Sequence, residues 1–428
     1  MRIVYLNPSG QLGGAETSLL AILGSMRAAV PNWELFLLVG EDGPLSEQAR
    51  KLGVMVSVVP FPPSLARLGD STTSRWHTIG RLAASFSAAL RYKHSLARIL
   101  RSLRPDLLHT NGFKMHLMGA WARPQGIPLL WHIHDYVSPR PLMKHLLQLF
   151  RKRCTAIVAN SHSVATDIAP VFTGMRVVPV YNAIDLQRFS PAGFRLDLDA
   201  AANLPPAPDG TVRVGLVSTF ARWKGHQTFL QAMARLSPAL PVRGYIIGGP
   251  IYRTIGSQWS IDELTQVVRR LGLENRVGFT GFLADTAAAM RSLDIAVHAS
   301  THPEPFGMVI IEGMACGTAV IASDAGGARE LFADGETALG HAPGDDAQLA
   351  AQIERLVNNA GLRKQLARNG RRTAETLFDA KRLAEQLVPL YRESATSGEE
   401  RDLDSVQFRP GADVKHSDRA KAFELPNS

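Results

Sequence analysis

The chain has 428 residues, with 47 Lys/Arg against 38 Asp/Glu and 45% hydrophobic content, which is enough for two domains with separate cores. That balance excludes a disordered or collagen-like chain, and its two cysteines, Cys154 and Cys316, exclude a disulfide framework and predict a reducing compartment. No stretch of about 20 uninterrupted apolar residues is present, and the opening M-R-I-V-Y-L-N reads as a buried strand with no signal-peptide core, so a cytoplasmic protein is expected.

The first strand, residues 3–6, runs into N-P-S-G-Q-L-G-G-A-E-T-S-L-L. Gly10, Gly13 and Gly14 would let backbone approach a ligand ahead of a helix starting near Ala15. A plain tight turn is one alternative. A dinucleotide fingerprint is another, since Glu41 and Asp42 follow the second strand, but G-x-x-G-G departs from G-x-G-x-x-G. Further strands are expected at 35–39, 54–59, 107–109, 129–133, 156–159 and 177–180. Within this half, residues 75–153 hold 14 Lys/Arg against 2 Asp/Glu, a local net of +12 in a chain whose total is +9. Segment 139–153 puts Leu142, Leu146, Leu149 and Phe150 near one helical stripe with cations around it, and 91–104 behaves similarly. Such faces suit an anionic membrane surface, and equally two amphipathic helices packed on a sheet. No basic platform interleaved with aromatics is present, so nucleic acid is not an expected partner.

Pro191, Pro205, Pro206 and Pro208 mark a linker over 191–211. A second strand set follows at 213–217, 243–247, 277–280, 295–298 and 319–322. Strands alternating with helical patterns predict an α/β chain of two doubly wound parallel-sheet domains, 1–190 and 212–378, with ligands at strand C-termini facing a cleft. Residues 379–395 read as a terminal helix returning to the first domain, with Pro389 a kink site, and 396–428 as a disordered tail.

The second domain opens V-G-L-V-S-T-F-A-R-W-K-G, placing Arg222 and Lys224 after its first strand and before a helix, where two cations could neutralise a departing diphosphate. Further on, E-P-F-G-M-V-I-I-E sets Glu304 in a loop and Glu312 on the helix after it. Their side chains would lie on the order of 10 Å apart, too far to share a proton or a metal. The helix N-terminus between them suits a phosphate, so the pair fits the two ends of a nucleotide sugar. His132 and His134 share a strand face. A zinc pair lacks further ligands at a suitable spacing, which leaves a core or cleft role. Asp197 and Asp199, and Asp402 and Asp404, form D-x-D patterns that read as solvated charge in linker and tail.

The motif set resembles retaining glycosyltransferases of family 4. It comprises Gly13-Gly14-Ala15-Glu16, Asn160-Ser161, Y-N-A-I-D from Tyr181, F-A-R-W-K-G from Phe220, F-T-G-F from Phe279, E-P-F-G…E from Glu304 and A-G-G-A-R-E from Ala325. The resemblance covers roughly residues 1–395. It implies the GT-B fold, two Rossmann-like domains of which the first binds acceptor and the second the nucleotide sugar. It further implies that Glu312 binds the ribose and Glu304 the donor-sugar hydroxyls. Backbone amides near Phe306 and Gly307 would hold that sugar, Arg222 and Lys224 would stabilise the leaving diphosphate, and Gly13–Gly14 would approach the phosphates. His134 falls where the family has a cleft histidine. Many relatives carry H-x-H where this chain has His109-Thr110-Asn111, so Asn111 can contact a sugar hydroxyl but cannot exchange protons near neutral pH. No metal or other cofactor is expected. The implied activity is transfer from a nucleotide sugar to a glycan or lipid-linked acceptor in surface polysaccharide synthesis, peripheral on the inner face of the membrane. A GT-B-fold epimerase or phosphorylase, or a non-catalytic nucleotide-sugar-binding protein, are the rival readings.

Overall fold

The computed structural model describes residues 1–66, 78–250 and 256–396. The expectations for 397–428, including Asp402 and Asp404, lie outside the described residues.

Among the described residues the first domain holds seven strands: β1 (Arg2–Asn7), β2 (Glu34–Val39), β3 (Met55–Val58), β4 (Leu107–Asn111), β5 (Leu129–Ile133), β6 (Ala156–Ala159) and β7 (Val177–Pro179). The second holds β8 (Val212–Val217), β9 (Val242–Ile247), β10 (Val277–Gly281), β11 (Ile295–His298), β12 (Ala319–Ser323) and β13 (Leu339–His341). All pairings are parallel, in the orders β3-β2-β1-β4-β5-β6-β7 and β10-β9-β8-β11-β12-β13. Apolar runs such as I-V-Y-L in β1 and A-V-I-A in β12 form central strands because helices cover both sheet faces and no position needs to be polar. Each sheet consequently has two cores, one per face.

Sheet order reverses between β1 and β4 in one domain and between β8 and β11 in the other. At such a switch point the neighbouring loops diverge to opposite faces and leave a crevice beyond the strand ends.

One part of the chain, the linker, differs from expectation. The linker is not a free tether: Leu196 N donates to Ser292 Oγ, Arg291 Nε to the Phe194 carbonyl, and Asp199 is buried. Arg243 Nη1 and Tyr245 Oη each donate to Asp199 Oδ1 at 2.6 Å, with Arg213 Nη2 3.3 Å from Oδ2. Asp199 is thus a buried anchor tying the linker to the second domain, not solvated charge. The chain crosses between domains where Ile184 N donates to the Phe378 carbonyl and Ala380 N donates back to Ile184. From there the helix Lys381–Thr396 buries Leu383, Leu387, Leu390 and Tyr391 in the first domain's core.

Candidate active site

Lys224 follows β8 and Glu304 follows β11, so the second domain's switch point brings them together across 80 residues of sequence: Lys224 Nζ donates to Glu304 Oε1 at 2.5 Å. The other carboxylate oxygen is taken as well, with Ser300 Oγ donating at 2.5 Å and His298 Nε2 at 2.6 Å. Burial alone would raise the Glu304 pKa, but Lys224 and His298 outweigh it and hold the carboxyl well below the ordinary range. His298 and Ser300 escaped the sequence reading; their only signal is that they flank the end of a strand four to six residues before Glu304.

Arg222 and Lys224 stand on one short 3-10 turn but do not act as a pair. The Arg222 guanidinium lies 4.0 Å from the Trp259 ring centroid and donates through Nη2 to Glu263 Oε1 at 2.7 Å. Gly225 ends this turn at φ +78°, and a Cβ there would meet the Ala299 carbonyl oxygen at 1.8 Å. Only glycine lets the helix His226–Arg235 start this close to the end of β11.

The helix Met308–Ala315 starts after Gly307, at φ +108°; Ile310 N donates back to the Gly307 carbonyl, and the N–H groups of Met308 and Val309 before it have no intrahelical acceptor. The Phe306 side chain is not cleft-facing: it is 2% exposed and packs against Tyr181 and Phe378, so only its backbone is available. Glu312 lines a cavity of about 510 Å³ between the domains, together with Leu12, Thr17, Arg188 and Met308. Burial pushes its pKa up to about 7, with Arg188 partly opposing. The two motif carboxylates therefore sit in opposite electrostatic settings. At the ends of β9 and β10, the 60% exposed Phe282 ring leans on Gly249, where an added Cβ would meet it at 2.7 Å.

Opposite stands the first domain's switch point. Asn111 Nδ2 donates to Asn7 Oδ1 at 2.7 Å, and Glu16 accepts from Asn7 Nδ2 and from Gly13 N, which caps the helix Gly14–Ala29. A Cβ on Gly14 would meet nothing within 4 Å, so space for a ligand remains beside it. Gly10 differs: its Cβ would strike the Glu41 carbonyl oxygen at 2.4 Å, so packing within the protein requires that glycine. Behind lies a histidine chain, with Tyr391 Oη 2.7 Å from His109 Nδ1 and His109 Nε2 3.3 Å from His132 Nδ1. The His132 and His134 ring centroids are 3.9 Å apart. Burial lowers the His134 pKa to about 3, so the ring is neutral at ordinary pH. Asn111 Oδ1, His132 Nε2, Asn160 Oδ1 and both His134 ring nitrogens are buried without a protein partner. Buried polar atoms left open in this way are the exception in folded proteins and call for a ligand or water. Among the described residues, no group of three or more His, Cys, Asp or Glu is placed to hold a metal ion, and no helix is long and apolar enough to cross a membrane.

Two family models match in succession: Glycosyltransferase Family 4 over residues 12–188 and Glycosyl transferases group 1 over 204–373. The lipopolysaccharide core biosynthesis glycosyltransferase LpsE of Rhizobium meliloti is 30% identical over 309 residues, 71% of this chain and 84% of its own. The D-inositol 3-phosphate glycosyltransferase of Rhodococcus erythropolis is 29% identical over 315 residues, covering 68% and 69%. The crystal structure of Anabaena HepE with UDP-glucose aligns over 92% of this chain and 100% of its own, at TM-score 0.71 and 27% identity. With two doubly wound domains facing one cleft, the chain belongs to glycosyltransferase family 4 and has the GT-B fold.

Proposed function

We propose that this family-4 enzyme is a retaining, metal-independent transferase moving a sugar from a nucleotide-sugar donor to a glycan or glycolipid hydroxyl. The observation that carries it is the Lys224–Glu304 pair over the second domain's switch point, in the loop that leads into the N-terminus of the Met308–Ala315 helix. Lys224, Arg222 and that helix end would stabilise the departing diphosphate. The acceptor oxygen would bond to the anomeric carbon as its bond to the phosphate oxygen breaks. The leaving diphosphate keeps the electron pair and takes the acceptor's proton. Glu304 positions the sugar and is not the nucleophile, since both its oxygens already accept strong hydrogen bonds. Glu312 would accept from the ribose hydroxyls. The neutral polar atoms around Asn111 and His134 would meet sugar hydroxyls.

UDP and UDP-glucose complexes of HepE and the lipopolysaccharide role of LpsE support a uridine nucleotide sugar and a surface-glycan acceptor. A lipid-linked acceptor also fits the outer face of the helix Pro141–Phe150. Its stripe is narrower than the sequence pattern suggested: Leu147 is buried, Leu146 and Phe150 are half-buried, and only Leu142 (71%) and Leu149 (78%) stand fully out, beside Arg151 and Lys152. Sedimentation with anionic vesicles at low salt tests this, and no binding would sink the membrane role. Product analysis against UDP-, GDP- and ADP-sugars tests the reaction. A retaining transferase consumes donor in step with acceptor and gives a product of unchanged anomeric configuration. An epimerised nucleotide sugar, or donor bound without turnover, would overturn it.

A further inference from the structure

Behind the donor-sugar loop, the two domains are joined by contacts that none of the site chemistry uses. Glu330, on the short turn Gly327–Leu331 of the second domain, sends its carboxylate to two successive backbone amides of the first. His162 N donates to Oε2 at 2.9 Å and Ser163 N donates to Oε1 at 2.5 Å. Beside it, Tyr136 Oη lies 2.8 Å from Ser163 Oγ and donates to the main-chain carbonyl of Glu304 at 3.2 Å. The same carbonyl accepts from Gly327 N at 2.7 Å. Two glycines make the fit possible. A Cβ on Gly326, at φ +65°, would come 2.5 Å from Tyr136 Oη, and one on Gly327 would come 2.0 Å from the Pro305 carbonyl oxygen and 3.0 Å from Ser161 Oγ. The segment 326–330 is therefore wedged between the backbone of the Glu304 loop and the first domain.

We propose that Glu330 and Tyr136 form an interdomain latch that couples closure of the cleft to the placement of Glu304. A charged acceptor on two amides is among the stronger polar contacts a surface can make, and it exists only while the domains are together. Tyr136 then transmits the closed state to the residue whose side chain holds Lys224. Glu330 and Tyr136 are positioning residues. Their effect on turnover rests on the donor-site reading above, but the latch itself does not.

The test uses the full chain with spin labels on Glu47→Cys and Glu354→Cys, exposed positions on the two domains, the native cysteines being buried. Glu330→Ala is expected to shift the interdomain distances to longer and broader values. Glu330→Gln, which keeps one acceptor oxygen, is expected to fall between it and the unmodified chain. Tyr136→Phe removes only a hydroxyl, so it reports on the latch even if a Glu330 variant folds poorly. With UDP-glucose as the probe, the loss should lie in KM more than in kcat, about five- to a hundredfold, the usual span of coupling between two sites. Distances identical to the unmodified chain in both Glu330→Ala and Tyr136→Phe would overturn the latch. Opened distances in a chain that turns over no nucleotide sugar would uphold the latch and overturn the donor reading.

Discussion

The two walls of the cleft handle polarity in opposite ways. Around its switch point the second domain's wall is charged and internally paired, Lys224 with Glu304 and Arg222 with Glu263, while Glu312 further along has no ion-pair partner among the described residues. Apart from Glu16, which accepts from Asn7 and Gly13, the first domain's wall is built of neutral groups that are incompletely paired, with open acceptors or donors on Asn111, His132, His134 and Asn160. Charges facing each other in a half-buried site must be matched in the free protein, because an isolated buried ion costs far more than an isolated amide. A diphosphate can then exchange partners with cations already in place. Neutral groups are left open at smaller cost, and hydroxyl-rich ligands can complete them. Under the proposed function, the departing diphosphate meets the cations of the second domain, and the open neutral atoms of the first domain add contacts to sugar hydroxyls.

The largest break in this contrast is Lys224→Ala. Turnover should fall by about 10²–10³-fold, as when a charge-stabilising group is removed. Glu304 loses its cation as well, so a stability loss of about 3–5 kcal/mol is expected on chemical denaturation. Pairing Lys224→Met with Glu304→Gln should restore stability without restoring turnover. Recovery of both would make the pair structural. Arg222→Ala should cost at least about tenfold in turnover but less than about 1 kcal/mol of stability, since its ion pair with Glu263 is largely exposed. Rates equal to those of the unmodified enzyme would remove Arg222 from the leaving-group role.

Glu312 sharpens the comparison through pH. Burial pushes its carboxyl pKa up to about 7 in the free protein, and under the proposed role, ribose hydroxyls donating to it would favour the ionised form. Donor affinity should therefore rise with pH up to about 7 and level off above, measured by calorimetry on nucleotide titration. Glu312→Gln should flatten that profile, and an unchanged slope would assign the titration to another group. Folding carries the opposite sign. A raised carboxyl pKa favours the folded state at low pH, and that advantage is lost as pH climbs from the unfolded value through about 7.

The smallest effect is expected on the neutral wall. His134→Leu should reduce turnover about three- to tenfold, the scale of one neutral hydrogen bond. Thermal stability should hold or rise, because two unpartnered nitrogens leave the interior. A marked drop in melting temperature would make His134 a packing residue.

Twelve of the thirteen strands among the described residues were legible because burial on both faces turns them into continuous apolar runs. The exception, β13, is three residues, L-G-H, at the sheet edge, too short to show a pattern. Glu304, Lys224 and Glu312 could be picked out because each sits at a fixed offset from a strand end or a helix start, whereas Asn111 was reached only through the family resemblance. Asp199 was misread, since only the folded linker brings Arg213, Arg243 and Tyr245 onto it. Arg222 and Lys224 look equivalent two residues apart, yet a tight turn aims one at Trp259 and the other at Glu304.

What the chain determined by itself is the alternation of strand and helix, the break between domains, and the residue types at the strand ends. Local periodicity and turn chemistry encode these. Which charges meet, which polar atoms stay open, and how Glu330 reaches His162 and Ser163 were decided only by tertiary structure. Those partners lie up to 168 residues apart, and no local pattern records which surfaces two folded sheets will bring face to face.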